Sequence, residues 1–339
     1  MVAVLNLNYT LNMLRGYFVS HTIHECFKIG LFEYLKTETT FEDLSNSLRV
    51  DEERLMALMG FLHNENIISV VRGNNFILTN RGYNLIEQRG WFELFVGGYN
   101  AVLTNLHNLI ESGSIDDIRN IESVTLGSGE IFAHDAKPLV LKLMEQLEDP
   151  IELILDIGCG NGAALVSLCE ELDVNGIGVD AAESAINNAN CLARSKGLNE
   201  KVEFLVGDAA GLQEFTKKPD VIIAAFLLQE LIPSLGELGL INYLTELASR
   251  WPNAYWIIIE VDHQPNSQVM QTLHGSGYYN GYYMLHPFTN QQLLSRDAWL
   301  EIFESAGFVT EQALTTDHAI DPTGLELGFL LSSKRPSTI

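Results

Sequence analysis

Short apolar runs separated by helical stretches fill the second half of the chain. After Pro150 five runs follow one another, IELILDI, GIGVD, KVEFLVGD, PDVIIAAF and AYWIIIEV. Runs of this kind are typical of strands buried on both faces of a parallel sheet, with helices between them. Near the C-terminus, FESAGFVTEQAL and TGLELGFLLSSK predict a helix, a strand, a turn at Gly324 and a final strand. The pattern therefore predicts an α/β domain over residues 149–339.

The first part of the chain has a mainly helical period. Asp51 is a candidate N-cap for the helix that follows it, and Arg72-Gly73-Asn74-Asn75 has the composition of a turn between two short strands. This order predicts a winged-helix-like domain over residues 1–95, followed by a helical connector over 96–148. The helix that would enter a DNA groove, DEERLMALMGFLHNEN, carries one arginine among four acids. A dimerisation or lid role is therefore favoured over DNA binding.

Composition narrows the classes of partner. The 339 residues include 44 acidic and 20 basic side chains, a net charge of -24. Such a charge repels nucleic acid and anionic membrane surfaces. No signal peptide and no run of about 20 apolar residues is apparent, so a cytoplasmic protein without membrane association is expected. Four scattered cysteines, without paired spacing, predict reduced thiols.

The most informative motif is LILDIGCGNGAALVSL, in which a strand ends at Asp156 and a glycine-rich turn opens a helix. Glycines allow a tight turn and close backbone approach to a ligand at a helix N-terminus. A dinucleotide fingerprint fits the glycines loosely, and Asp180 after the next strand suits the ribose of either cofactor. The Asp156 carboxylate, however, suits the cationic amino acid end of S-adenosylmethionine and would repel a pyrophosphate.

A third strand ends in VEFLVGDAAGL, where Asp208 could accept a hydrogen bond from an adenine amino group. Each acid alone could equally be a cap or turn residue. Together, DIGCGNG, GIGVD and FLVGDA resemble the successive cofactor motifs of class I S-adenosylmethionine-dependent methyltransferases. The resemblance implies a Rossmann-like seven-stranded sheet closed by an antiparallel hairpin. It also implies a set of cofactor-binding residues: Asp156, Gly158, Cys159, Gly160, Asp180, Gly207, Asp208 and Ala209. Cys159 is interpreted as a small turn residue without thiol chemistry.

The winged-helix-like region ahead of this domain resembles small-molecule O-methyltransferases of the plant and hydroxyindole type, over nearly the whole chain. In that family a His-Asp pair after the fourth strand supplies the base. The matching stretch here is VIIAAFLLQELIPSLG, with Gln229 and Glu230 at those positions. Glutamine cannot act as a base, which argues against simple O-methylation by that mechanism.

A later segment, TLHGSGYYNGYYMLHPFTNQQLLSRDAWLEIFESAGF, resembles the 2-oxo acid C-methyltransferases. That resemblance implies methylation of the carbon beside the keto group of a small 2-oxo acid such as 2-ketoarginine. It also implies a divalent metal ion held by Gln229, Glu230 and His286. A metal would stabilise the enolate as a Lewis acid. His263, in IIIEVDHQP, or a metal-bound hydroxide is the expected base.

Structural roles are alternatives for each of these residues. Glu230 could begin a helix, His286 could be a loop residue, and His263 could pair with Asp262 at a strand end. The tyrosines of GYYNGYY are expected to form a packed lid. Two other functions stay open: a metal-free O-methyltransferase with His263 as base, and a non-catalytic cofactor-binding protein that acts through its dimer. A homodimer is expected in every case.

Overall fold

The computed structural model describes residues 2–113, 118–207 and 218–333. The described chain forms two compact units. The first runs up to Asn100 and includes Leu126–Ser128, and the second holds Ala101–Thr125 and the chain from Gly129 onward. Residues 96–148, the predicted connector, thus divide between the units, with the larger part in the second.

The first unit is helical with one small hairpin. Its described elements are α1 Val2–Lys28, α2 Leu31–Leu35, α3 Phe41–Leu48, α4 Glu52–Asn64, β1 Ile68–Val71, β2 Asn75–Leu78, α5 Asn80–Glu87, α6 Arg89–Phe92 and a π-helical turn Glu93–Gly98. Asp51 caps α4 by accepting a hydrogen bond from the Arg54 N–H at 3.0 Å, which confirms the predicted N-cap. Strands β1 and β2 pair antiparallel around a turn at Gly73. A core that includes Ile23, Phe32, Met59 and Leu62 fills this unit.

The second unit begins with helices and continues as alternating strands and helices. Its helices are α7 Asn100–Thr104, whose first residue belongs to the first unit, α8 Leu106–Ser112, α9 Ile121–Phe132, α10 Ala136–Met144, α11 Ala163–Leu172, α12 Glu183–Ser195, α13 Leu228–Arg250, α14 Asn280–Leu285 and α15 Arg296–Ser305. Its strands are β3 Leu153–Ile157, β4 Asn175–Asp180, β5 Val202–Val206, β6 Val221–Ala225, β7 Tyr255–Val261, β8 Phe308–Thr315 and β9 Glu326–Ser333. Helix α13 is interrupted at Gly236, three residues after Pro233.

The seven strands of the second unit form one sheet in the order β5-β4-β3-β6-β7-β9-β8. Strands β3 to β7 pair in parallel, whereas β9 runs antiparallel to both β7 and β8. The predicted α/β class and the closing hairpin are therefore confirmed. The strand order reverses between β3 and β6, and ligands of such sheets bind beyond the carboxyl ends of the strands at this point.

Alternate residues of each strand face two separate hydrophobic layers. Leu153 and Leu155 face the layer that contains α13 and α15, and Ile154 faces the layer that contains α10, α11 and α12. Both faces of the sheet are thus covered, which explains why the parallel strands are apolar throughout. No helix within the described ranges is long and apolar enough to span a membrane.

Candidate active site

The glycine-rich turn follows the carboxyl end of β3. Gly160 and Gly162 have φ values of 53° and 74°, a region that favours glycine. A Cβ at Gly162 would lie 2.5 Å from the Phe204 ring, so this position also requires a residue without a side chain. The turn therefore brings the start of α11 close against the sheet, with the helix N-terminus open toward its carboxyl edge.

Asp180 connects the ends of three neighbouring strands. Its carboxylate accepts hydrogen bonds from the Gly160 N–H and the Ala182 N–H, both at 2.9 Å. Its backbone carbonyl accepts a hydrogen bond from the Gly207 N–H at 2.9 Å. The predicted cofactor residues of β3, β4 and β5 therefore meet at one edge. Asp208 and Ala209, also predicted to bind the cofactor, lie outside the described residues.

Asp156 is buried at the end of β3. Burial, and then the charge of Asp180, raise the pKa of Asp156 to about 7. A cation beside Asp156 would remove this penalty, so the site suits a positively charged ligand group. Cys159 is also buried, and burial raises the pKa of its thiol far above the usual range. The thiol is therefore protonated, in agreement with a turn residue rather than a nucleophile.

Gln229 lies in the first turn of α13, next to the end of β6, and is 2% exposed. Its Nε2 donates a hydrogen bond to the Tyr282 hydroxyl at 2.9 Å, while Oε1 has no partner among the described residues. Glu260 of β7 caps this helix, because its Oε1 accepts hydrogen bonds from the Leu228 and Gln229 N–H groups. Burial raises the pKa of Glu260 to about 8, so it is mostly protonated near neutral pH.

His286 follows α14 and is also 2% exposed. Its Nδ1 lies 2.7 Å from the Tyr282 carbonyl oxygen and donates to it, and its ring packs edge-on against the Tyr282 ring. Nε2 is then the lone-pair nitrogen, and it is buried without a partner in the described chain. Burial chiefly lowers the pKa of His286 to about 4. The Tyr282 hydrogen bond opposes that shift, and the nearby Arg119 and His263 lower the pKa further.

Glu230 has different partners from its neighbour Gln229, because it forms an ion pair and not a bond to Tyr282. Its Oε1 lies 3.1 Å from Nη1 of Arg119 and accepts a hydrogen bond from Gln291 Nε2 at 2.9 Å. The Arg119 side chain is only 5% exposed, whereas that of Glu230 is 42% exposed. Gln291 is itself held by the Thr289 hydroxyl at 2.7 Å. The ion pair therefore fixes a guanidinium at the same end of the sheet as Gln229 and His286.

His263 lies just beyond β7, half-buried, with its ring edge-on to Tyr283 at a centroid distance of 4.9 Å. Burial lowers the pKa of His263, although the charge of Asp262 opposes the shift. Neutral imidazoles therefore stand at two points of this edge, His263 and His286. Either can accept a proton.

The tyrosines predicted to form a lid are packed against the same edge. Tyr279, Tyr282 and Tyr283 are all buried. Tyr279 donates a hydrogen bond to Asp321 at 2.6 Å, and Tyr283 donates one to the Asp262 carbonyl oxygen. These bonds fasten the segment that carries His286 to the end of the sheet.

The three residues suggested as metal ligands differ in their hydrogen-bond and ion-pair partners. Gln229 and His286 both contact Tyr282, and each leaves one buried acceptor atom without a partner in the described part of the chain. Glu230 instead pairs with Arg119. The described residues contain no group of three or more His, Cys, Asp or Glu that could hold a metal ion.

Sequence reasoning did not identify Arg119, Glu260 or Gln291. Arg119 follows two acids in SIDDIRN, a stretch with no motif, and its partner Glu230 lies 111 positions away. A charged residue within the apolar run of β7 was the one available signal for Glu260, because such a residue is seldom buried without a partner.

Known proteins agree with this architecture. Residues 154–237 match the family model described as a methyltransferase domain. The 2-ketoarginine methyltransferase of Streptomyces arginensis is 33% identical over 329 residues, 96% of this chain and 95% of that protein. The indolepyruvate C-methyltransferase of Streptomyces griseus is 26% identical over 242 residues, 70% of each chain.

Solved structures support the fold. Human N-acetylserotonin methyltransferase in complex with S-adenosylmethionine has a TM-score of 0.71 at 14% identity, covering 97% of this chain and 98% of that one. Mitomycin 7-O-methyltransferase has a TM-score of 0.64 at 14% identity, covering 98% and 99%. With these matches and the glycine turn between Asp156 and Asp180, the chain belongs to the class I S-adenosylmethionine-dependent methyltransferases, in the group that includes the 2-ketoarginine methyltransferase.

Proposed function

We propose that this methyltransferase acts on the carbon beside the keto group of a 2-oxo acid, with 2-ketoarginine as the first substrate to test. The observation that carries the proposal is the buried Nε2 of His286, an acceptor without a described partner, at the end of the sheet that also holds the Arg119 guanidinium. A carbon acid needs both a proton acceptor and positive charge nearby, because enolate charge develops as the proton leaves. The activities named for the two Streptomyces relatives support the same reaction class.

The cofactor site supports this role. S-adenosylmethionine supplies an electrophilic methyl group on a positively charged sulfur. Asp156 suits the cationic end of this molecule, because a cation lowers the cost of burying its carboxylate beside Asp180. Asp180 holds the glycine turn through Gly160 and suits the ribose hydroxyls with its remaining lone pairs.

The proton balance is simple. The substrate C–H proton passes to a neutral imidazole, for which His286 and His263 are the candidates. A carbon–carbon bond then forms to the methyl group as the methyl–sulfur bond breaks, and the electron pair of that bond stays on sulfur. The imidazole returns its proton to water. The fixed Nδ1 of His286 favours it as the acceptor, since only Nε2 can take the proton.

The predicted metal ion does not fit the donor set well. Glu230, the one anion among the suggested ligands, already faces the cation Arg119, which would repel a second cation. Gln229 and His286 alone offer two neutral donors, fewer than the three protein ligands of a catalytic zinc site, and without the carboxylate that magnesium prefers. We therefore propose that the methyl transfer proceeds without a metal ion, and the test below is designed for that form of the reaction.

The first test measures transfer of labelled methyl from S-adenosylmethionine to 2-ketoarginine, indolepyruvate and a panel of phenols, each with and without EDTA. We expect label in a 2-oxo acid, on carbon, unchanged by EDTA. Label only in phenols would replace this function with O-methylation and His263 as base. Label in a 2-oxo acid that EDTA abolishes would keep the reaction and restore the metal.

We also propose that the first unit is a winged-helix-like dimerisation domain. Helix α1 leaves seven large apolar side chains between 49% and 71% exposed, a set too dense for an ordinary surface: Leu7, Tyr9, Leu11, Met13, Leu14, Tyr17 and Phe18. A second copy of the chain would remove this surface from water.

A further inference from the structure

The Arg119–Glu230 ion pair is unusual in the burial of its two members. The guanidinium side chain is 5% exposed and the carboxylate side chain 42% exposed. A buried guanidinium requires an anion, because the removal of its charge from water is strongly unfavourable. A half-exposed carboxylate, in contrast, can move to solvent at little cost. The pair therefore has a fixed cation and an exchangeable anion.

Two buried acceptor atoms, one on the residue before Glu230 and one on His286, have no hydrogen-bond partner among the described residues. Gln229, adjacent to Glu230, leaves Oε1 without a partner in the described structure, and so does His286 at Nε2. Arg119 is near enough to His286 to lower the pKa of that imidazole, although burial is the larger cause. Both orphaned side chains are 98% buried, and buried polar atoms of folded proteins are seldom left unpaired. A ligand or ordered water is thus expected beside them.

We propose that Arg119 binds the carboxylate of the 2-oxo acid, and that Glu230 is the anion it releases when the substrate binds. The inference rests on the proposed function and names the residue that selects its substrate class. A guanidinium presents parallel N–H donors that match two acceptor oxygens in one plane, as the carboxylate and keto oxygens of a 2-oxo acid are. The same cation lies where negative charge develops on the keto oxygen during enolisation.

Exchange of one carboxylate for another keeps Arg119 neutralised in both states. Gln291 donates to Glu230 in the substrate-free arrangement and can retain that bond as the carboxylate moves outward. Glu230 therefore competes with the substrate for Arg119. Removal of its charge should strengthen substrate binding, whereas removal of the Arg119 charge should weaken it.

The experiment measures equilibrium binding of 2-ketoarginine and its carboxamide by calorimetry, with S-adenosylhomocysteine present so that no turnover occurs. Indolepyruvate and its carboxamide form a second pair. We expect wild-type protein to prefer each acid over its amide by about 100-fold, the usual scale for a buried charge pair. Arg119→Gln should bind acid and amide alike, Arg119→Lys should retain about a tenth of the acid preference, and Glu230→Gln should bind the acids at least as tightly as wild type.

Arg250→Gln is the matched control, since Arg250 pairs with Glu246 in α13 at 3.3 Å, in an ordinary surface ion pair. It should keep the full acid preference. An Arg119→Gln protein that binds S-adenosylhomocysteine normally yet still prefers the acids would overturn the inference. So would a Glu230→Gln protein as weak as Arg119→Gln, because the pair would then be structural.

Failure of this inference is distinct from failure of the proposed function. A wild-type enzyme that labels no 2-oxo acid contradicts the function itself. A wild-type enzyme that labels a 2-oxo acid, with unchanged acid preference in both Arg119 variants, contradicts only the role of Arg119. If Arg119→Gln does not fold, Arg119→Lys keeps the positive charge. Its acid preference then still tests whether the paired N–H donors of the guanidinium are needed.

Discussion

The Asp180 carboxylate accepts a hydrogen bond from the Gly160 N–H at 2.9 Å, across 20 positions of sequence. The bond joins the end of β4 to the turn after β3. It holds the turn in the conformation that opens the N-terminus of α11, so one carboxylate both shapes the cofactor site and can contact the cofactor.

Replacement of Asp180 therefore affects S-adenosylmethionine binding in two ways. Asp180→Ala should weaken binding by about 10- to 100-fold, because it removes the proposed ribose acceptor and leaves the Gly160 N–H unpaired. Calorimetric titration with S-adenosylmethionine measures this. Asp173→Asn is the control, because Asp173 is an exposed acid at the end of α11 that contacts Lys201. Equal affinity of Asp180→Ala and wild type would contradict the role of Asp180.

Binding of the cofactor should release protons through Asp156. Its pKa is about 7 in the free protein because of burial and Asp180, and a bound cation lowers that pKa. At about pH 7 binding should expel up to about half a proton from Asp156, and affinity should rise as the pH increases through this range. Titrations in buffers of different ionisation enthalpy count the protons, and Asp156→Asn should reduce the count. The same proton count in both proteins would assign the release to another group.

Gly162 should be the least replaceable glycine of the turn. Gly162→Ala combines a positive φ with a Cβ only 2.5 Å from Phe204, whereas Gly197→Ala has φ 69° and nothing within 4 Å. We expect Gly197→Ala to lose about 1 kcal/mol of unfolding free energy. Gly162→Ala should lose about 1–3 kcal/mol more through overpacking. Denaturant unfolding of both variants measures the difference, and equal losses would mean that Phe204 moves aside freely.

The strands of the sheet could be predicted from sequence because each is a short apolar run between helical stretches. The runs before Asp156 and Asp180 correspond to β3 and β4, and the turn at Gly324 separates β8 from β9. Local pattern suffices here, since burial on both faces requires continuous apolar residues. The glycine turn was predictable for the same reason: its conformation depends on neighbouring residues.

The proposed substrate end of the site depends on contacts between distant segments. Arg119 meets Glu230 across 111 positions, and Gln229 meets Tyr282 across 53. No local pattern encodes such pairs. The resemblance to known methyltransferases therefore suggested Gln229, Glu230 and His286 as residues of the reaction site. The ion pair of Glu230 with Arg119 is visible only in the folded chain.

The apolar surface of α1 gives a prediction about assembly. Leu11 and Phe18 are 50% and 58% exposed on this helix. The double variant Leu11→Glu, Phe18→Glu should be a monomer, because charges in an apolar interface are not compensated, whereas wild type should have twice the 37.8 kDa chain mass. Met56→Glu, at a 51% exposed position of α4, is the control and should keep the wild-type mass. Light scattering after size-exclusion chromatography measures each mass, and an unchanged dimer in the double variant would exclude α1 as the interface.

Buried acids should make the ligand-free protein less stable as the pH rises. Burial is the main cause that raises the pKa of Asp135 to about 6, of Asp156 to about 7, and of Glu260 and Glu326 each to about 8. The folded state therefore keeps protons that the unfolded chain has lost, so the contribution of these acids to stability falls from about pH 4 to about pH 8 and levels off above. His286 and His263, whose pKa values burial lowers, act in the opposite direction below their ordinary value of 6.5, so the fall is expected above that pH.

Thermal unfolding across this range tests the sign. Glu326→Gln should flatten the slope, since its amide oxygen can still accept the Thr316 hydrogen bond without titrating. Glu203→Gln, at an exposed position of β5, should leave the slope unchanged. A melting temperature that does not fall between about pH 6.5 and about pH 8 would show that these carboxylates are already ionised in the folded protein, each with a cation or water that compensates its charge.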